Sequence, residues 1–307
     1  MGYRSPLSRL PESASGLTKQ EYKITSADGI EVSLWRIATC SAGENSTRQP
    51  AMIYVHGGAF IFRNIDMKTV ILDKFNNSLV SRLGLDPLHE AGCVLLYVSY
   101  RIATEKPFPA PAEDVYAAYK YTLTHAAELG ILEDKICIMG VSAGANLAWV
   151  ATHMALDRGL SGSCGLMAIY PMLDPDTTWN KHEGETRQDE KDTLRRGWDR
   201  YLSRLHGLPA EQQKYARLLL LSTKDLDRLP PTHVDVGSHD YFKEEVLRAM
   251  DMLRDANINL TAKVLEGMPH NFESGLYKLE PRNEVLQKTW DSRRLFLQKI
   301  FGLRAAQ

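Results

Sequence analysis

Cysteine is scarce in this chain. Its four copies, Cys40, Cys93, Cys137 and Cys164, are widely spaced in 307 residues, without the close pairing of a zinc site or the density of a disulfide framework. Cys93 and Cys137 lie in apolar runs, where a free thiol behaves as a small hydrophobe. An excess of one charge is also missing: 37 Lys and Arg stand against 38 Asp and Glu, for a net charge of -1. No basic stripe interleaved with aromatics is present, which argues against a nucleic-acid partner. Residues Met1 to Gly16 mix Arg4, Arg9, Glu12, prolines and serines and hold no apolar stretch long enough for a signal peptide or membrane span, so a cytoplasmic address is expected. Internal repeats and low-complexity tracts are absent as well.

What the chain does contain is a series of short, continuously apolar runs: Ala51 to Val55, Gly92 to Val98, Lys135 to Met139, Leu166 to Tyr170 and His233 to Val236, with a mixed one at Leu260 to Leu265. Such runs read as parallel strands covered by helices on both faces. Helical patterns fall between them, at Val70 to Leu83, Glu113 to Leu129, Ala145 to Leu156, Lys243 to Ala256 and Arg282 to Phe301. The alternation predicts an α/β protein with a mostly parallel central sheet flanked by helices, whose functional residues collect on loops at the carboxyl ends of the strands. Residues 21–38 alternate as a hairpin turning at Asp28-Gly29. Asp174 to Arg228 breaks the pattern, being charged, with helical pieces such as Thr193 to Leu205 and no strand. It reads as an insertion after the Leu166 to Tyr170 strand. The expected organisation is a core of residues 21–173 and 229–307, and a helical cap of residues 1–20 and 174–228.

The pentapeptide Gly140-Val141-Ser142-Ala143-Gly144 lies between a strand-like run and a helix-like one. A serine on a sharp strand-to-helix turn is exposed as a nucleophile, and glycines on either side remove the Cβ atoms that would collide there. Serine needs a base, and the base a third group to orient it. Of nine histidines, His125 and His153 fall inside helical patterns, His182 and His206 in the insertion, and His89 before the nucleophile. His270, in the loop Glu266-Gly267-Met268-Pro269-His270 after the last strand-like run, is the candidate base. Asp240 closes the loop that follows His233 to Val236 and is the candidate acid. Its competitor Asp235 lies within the strand, and His239 reads as a neighbour without a task. Aspartate is also favoured as a helix N-cap, a role Asp240 could combine with the first for the Lys243 to Ala256 helix. Acyl transfer requires backbone N–H donors aimed at the developing oxyanion, and His56-Gly57-Gly58-Ala59-Phe60, after the Ala51 to Val55 strand, supplies such a loop. Gly58, Ala59 and Ala143 are the expected donors, with His56 holding the loop through hydrogen bonds.

In these motifs the chain resembles the hormone-sensitive-lipase-like branch of the α/β hydrolases, which includes microbial carboxylesterases. Four of them carry the resemblance in order: His56-Gly57-Gly58-Ala59-Phe60; Tyr100-Arg101-Ile102-Ala103 with Phe108-Pro109-Ala110 and Asp114; the serine turn; and the Asp240 and His270 loops. The resemblance implies an α/β-hydrolase fold, with Ser142 as nucleophile, His270 as base, Asp240 as acid, and Gly58, Ala59 and Ala143 as oxyanion donors. Three positions depart from the common family pattern. Ala59 replaces a third glycine, Val141 stands where an acidic residue is usual, and Ala145 where glycine is frequent. With the polar cap, these departures look more like fungal members that process esters or thioesters of secondary metabolites.

The expected activity is hydrolysis of a small-molecule carboxylic ester through an acyl-enzyme, with no metal or organic cofactor. A thioesterase or an amide or formamide hydrolase would use the same triad. A non-hydrolytic receptor of the same fold would need a damaged triad, and a lyase would share the pocket. Phe60 and Arg63 are expected at the substrate, Arg63 on an anionic group through paired N–H donors; the competing role for Arg63 is a structural bridge.

Overall fold

The computed structural model describes residues 17–39, 48–63, 92–160, 162–176, 188–273 and 283–303. Eight strands form one sheet, β1 Leu17–Thr25, β2 Glu31–Thr39, β3 Gln49–Val55, β4 Val94–Ser99, β5 Ile131–Val141, β6 Ser163–Ile169, β7 Thr232–Gly237 and β8 Leu260–Leu265, in the order β1-β2-β4-β3-β5-β6-β7-β8. β1 pairs antiparallel with β2, and β2 with β4; every later pairing is parallel. The central strands β3 and β4 are almost wholly buried, as is β5 from Ile136 to Val141, as expected of apolar runs with helices on both faces. Five long helices are described: α1 Ala110–Thr124, α2 Ala143–Asp157, α3 Gln188–Tyr201, α4 Lys243–Asp255 and α5 Glu284–Phe301. The last is capped by Asn283, whose side chain accepts from the N–H groups of Val285 and Leu286. The expected helix at Val70 to Leu83 lies outside the described residues.

The hairpin is present, but its turn is longer than a two-residue loop: Ser26 N–H donates to the Ile30 carbonyl at 2.8 Å, and Gly29 takes a φ of 80° that only glycine adopts freely. β1 also corrects the expected cap boundary. Leu17 pairs with Thr39 and Gln20 with Arg36, and Leu17 is fully buried. Residues 17–20 therefore belong to the sheet, because their alternation continues that of residues 21–25 on the same strand. Residues 1–16 lie outside the described residues.

The chain leaves β6 for the insertion at a buried anchor. Leu173 N–H donates to Glu245 Oε1 of α4 at 2.7 Å, while Asp174 pairs with Arg248 of the same helix. At its far end the insertion is tied to α2 through Asp157, which accepts from Lys214, Tyr215 and Arg228. Within it, α3 presents Trp198 and Tyr201 to the loop after β3: Phe60 stacks on Tyr201 with ring centroids 4.0 Å apart and planes 4° from parallel. Among the described residues no helix is long and apolar enough to cross a membrane.

Candidate active site

The register of the sheet brings the ends of β3, β5 and β6 level: Val55 lies opposite Gly140, and Val141 opposite Ile169. Ser142 follows at once and begins α2. Its backbone takes φ 56° and ψ −122°, a conformation that costs a non-glycine residue about 1–3 kcal/mol and persists only where surrounding contacts impose it. Those contacts are visible. A Cβ on Gly140 would come within 2.1 Å of the Gly144 carbonyl oxygen, and one on Gly144 within 2.3 Å of the carbonyl oxygens of Val55 and His56. The two glycines thus permit a turn tight enough to hold the serine up, and Ser142 N–H donates to the Ile169 carbonyl at 3.0 Å. As the first residue after the turn, Ala143 carries one of the helix N–H groups left without an intrahelical acceptor, at the positive end of the α2 dipole.

β7 and β8 also end level, with Gly237 opposite Leu265, which brings their loops together. His239 N–H donates to the Met268 carbonyl, and a Cβ on Gly237 would come within 1.9 Å of that same carbonyl oxygen. His270 Nδ1 lies 2.8 Å from Asp240 Oδ2, and its Nε2 lies 3.1 Å from Ser142 Oγ. Asp240 is fully buried and its other oxygen, Oδ1, accepts from Phe242 N–H at 2.8 Å. One carboxylate oxygen is therefore fixed by backbone while the other faces the imidazole.

The loop after β3 approaches the serine from the other side. A Cβ on Gly57 would sit 3.2 Å from Ser142 Cβ, and Gly58 takes a φ of 124°. Ala59 and Phe60 continue with φ of 49° and 62°, a run of left-handed residues. The N–H groups of Gly58, Ala59 and Ala143 have no partner among the described residues, while the Gly58 and Phe60 carbonyls are tied to Ile61, Phe62 and Ala103 N–H. Donors left free beside a nucleophile suit an oxyanion. His56 is fully buried between Gly57 and Tyr100: Nδ1 lies 2.7 Å from the Gly57 carbonyl, and the ring stacks on Tyr100 at 4.2 Å. Burial pulls its pKa down to about 4, so the ring is neutral at neutral pH and Nδ1–H donates to that carbonyl.

The profile of the alpha/beta hydrolase fold family matches residues 52–274, which span the loop after β3, the serine turn and both the Asp240 and His270 loops. The chain belongs to this family. Among curated proteins it is 23% identical to esterase LipI of Mycobacterium tuberculosis over 73% of this chain and 65% of that protein. It is 30% identical to bovine hormone-sensitive lipase over 39% of this chain and 14% of that protein. The chain thus spans less than two thirds of the length of either relative. Of solved structures, a thermostable esterase from Pseudomonas putida superposes with a TM-score of 0.75 at 20% identity, covering 95% of this chain and 85% of that one.

Within this α/β-hydrolase-fold chain the structure brings Ser142, Asp240, His270, Gly58, Ala59 and Ala143 to one place, and it revises three expectations. Asp240 is not the N-cap of α4; that position is Phe242, which makes no side-chain cap, because the carboxylate binds Phe242 N–H one step earlier. Phe60 is fully buried against Tyr201 and Trp198 and anchors the loop to α3 instead of facing substrate, since the α3 rings offer it an apolar seat. Arg63 is engaged by Glu105 at 2.9 Å and by the Tyr100 carbonyl at 3.4 Å; it bridges two loops, its charge matched by a neighbouring carboxylate. Asp235 stays within β7, held by Arg293 at 2.8 and 3.0 Å. Arg293 also contacts Glu273 at 2.7 Å, and all three are buried. Burial opposes the charge on Asp235, but Arg293 outweighs it and holds the carboxyl below the usual range; at Glu273 burial prevails and pushes the carboxyl up. Sequence reasoning missed this buried cluster, which secures the His270 loop to α5. It missed too the rings around His270, namely Tyr170, Tyr241 and Phe242. An arginine on the apolar stripe of α5 was the one available signal.

Proposed function

We infer that this protein is a serine hydrolase that cleaves small-molecule carboxylic esters through an acyl-enzyme. The observation that carries the reading is the unbroken chain Asp240–His270–Ser142, at 2.8 and 3.1 Å, beside backbone donors that have no partner among the described residues. In the reading, Ser142 Oγ attacks the ester carbonyl as its proton passes to His270 Nε2, Asp240 holds the Nδ1–H tautomer and stabilises the imidazolium, and the N–H groups of Gly58, Ala59 and Ala143 take up the oxyanion. His270 then protonates the departing alkoxide, and in the second half it deprotonates the water that attacks the acyl-enzyme. The esterase names among the relatives support the same reaction class. Residues 188–228 act as a cap, a role supported by the packing of α3 on the loop that carries the oxyanion donors. Mass measurement after treatment with a serine-directed phosphonate tests the nucleophile: one adduct per chain, located on Ser142, is expected, and no adduct would overturn the reading. A panel of acyl esters, thioesters and amides then identifies the preferred leaving group, with oxygen esters expected to turn over fastest.

A further inference from the structure

His270 must hold two hydrogen bonds at once, and the backbone before it is tied to the Asp240 loop, where Gly267 N–H donates to Ser238 Oγ at 2.8 Å and His239 N–H to the Met268 carbonyl at 3.0 Å. Gly267 and Asn271 flank it in left-handed conformations, at φ 73° and 53°, Pro269 contributes no N–H, and the ring retains some exposure. The hydrogen bonds through Nδ1 and Nε2, with the bond to Cβ, define the plane of the imidazole, but both must persist while a proton moves between Ser142 and His270. The rings around it restrict its tilting during that transfer. Tyr170, at the end of β6, and Phe242, before α4, meet the imidazole edge-on, with centroids 4.7 and 5.0 Å away and interplanar angles of 69° and 84°. Tyr241 differs from both: its centroid lies 4.6 Å away with an interplanar angle of 34°, a tilted contact that turns its ring face partly towards the imidazole. Tyr241 is itself held edge-on by Phe242 at 4.6 Å and 88°. The electron-rich face of an aromatic ring attracts a cation, and the imidazole becomes one each time it accepts the Ser142 proton.

We propose that Tyr241 is a positioning residue, whose ring face keeps the His270 imidazole aligned between Asp240 and Ser142 and stabilises the imidazolium formed during turnover. This rests on the reading of His270 as the base. The ionisable groups facing the imidazole are Asp240 on its own side of α4, Ser142 from the turn before α2, Tyr170 from β6, and Tyr241 itself, with Glu190 of α3 acting on the tyrosine from the cap side. Of the three rings around the imidazole, Tyr241 lies nearest to parallel with it.

The test compares Tyr241→Phe, Tyr241→Leu and Tyr241→Met in the full chain, with a neutral p-nitrophenyl ester and a pH series from 5 to 9. Phe retains the face and is expected to stay within twofold of wild type. Leu and Met remove it; kcat is expected to fall about fivefold with KM nearly unchanged, and the acidic limb of the kcat/KM profile to move about half a unit to lower pH, since the imidazolium loses its partner. A side chain that only fills space would leave that limb in place. Wild-type kcat and limb in both Leu and Met, or damage by Phe equal to that by Leu, would overturn the proposal, the latter by assigning the effect to the hydroxyl. Phosphonate labelling of Ser142 and the melting temperature verify that each variant is folded, and Met serves if Leu does not fold. Failure of the wild-type protein to label would instead overturn the hydrolase reading itself.

Discussion

At the scale of single residues, the site divides into atoms that react and atoms that hold them. Ser142→Ala removes only the hydroxyl from a turn built by Gly140 and Gly144; ester hydrolysis is expected to drop at least about 10⁴-fold with the melting temperature little changed, because triad members act as a unit. Turnover within tenfold of wild type in pure protein would remove Ser142 from its role. His270→Ala is expected to be comparably inactive, whereas His239→Ala, at an exposed side chain, should keep most of the activity; the reverse order would mean that the wrong histidine has been chosen. The two aspartates separate in the same manner but along different axes. Asp240→Asn disturbs the tautomer of His270 and should cost activity by about 10³–10⁴-fold in a folded protein. Asp235→Asn leaves Arg293 short of a buried partner and should cost about 3–5 kcal/mol of stability, read as a shift of the urea midpoint, with the remaining folded protein still labelling at Ser142.

At the scale of elements, the oxyanion loop is held by a helix remote from it in the chain. Gly197 of α3 lies so near Ala59 that a Cβ there would come within 2.3 Å of its carbonyl oxygen, and both groups belong to backbone that cannot swing aside. Gly197→Ala should therefore displace the loop and lower kcat about tenfold to a hundredfold, while Gly207→Ala, where nothing lies within 4 Å of the added carbon, leaves it unchanged. Equal rates for the two variants would show that the loop does not depend on this contact. This dependence also marks the limit of what sequence discloses. Most of the parallel strands were legible because each is an apolar run bounded by turns, and the serine and aspartate loops because each follows such a run; the histidine loop follows the mixed run of β8. The stacking of Phe60 on Tyr201 was not, since an aromatic after a glycine pair looks the same whether it faces substrate or a cap helix. Nor was the start of β1: Leu17 reads as a strand residue only when Thr39 is opposite it. Tyr241 is one more residue beside Asp240 until the ends of β6 and β7 bring Tyr170, Tyr241 and Phe242 around His270.

At the scale of the whole molecule, two histidines outside the triad should contribute to acid sensitivity. His56 and His153 are buried, the first among the Tyr97 and Tyr100 rings and the second on α2, where Nε2 accepts from Trp149 Nε1–H at 3.0 Å. Burial pulls the pKa of each down to about 4, against about 6.5 in an unfolded chain. Between these two values the unfolded state binds more protons than the native one, so stability is fully present above about pH 6.5 and falls as the pH is lowered towards 4. Each histidine contributes a slope of up to about 1.4 kcal/mol per pH unit, and about 3 kcal/mol in total across the window. Below pH 4 both forms are protonated and this source of loss ends. In urea midpoints measured from pH 7 to 4.5 this loss is offset in part by the buried Glu245 and Glu273, whose raised carboxyls take up protons first in the native state, so the histidine part is isolated by a variant. His153→Gln keeps an acceptor for the Trp149 N–H but cannot titrate; it should be less stable at pH 7 through imperfect packing, yet lose stability with a shallower slope, His56 supplying the part that remains. Because the comparison is between two proteins with the same carboxylates, acid titration of aspartates and glutamates cancels. A variant slope equal to that of wild type would mean that His153 is already charged in the native protein, and that the Trp149 hydrogen bond does not hold it neutral.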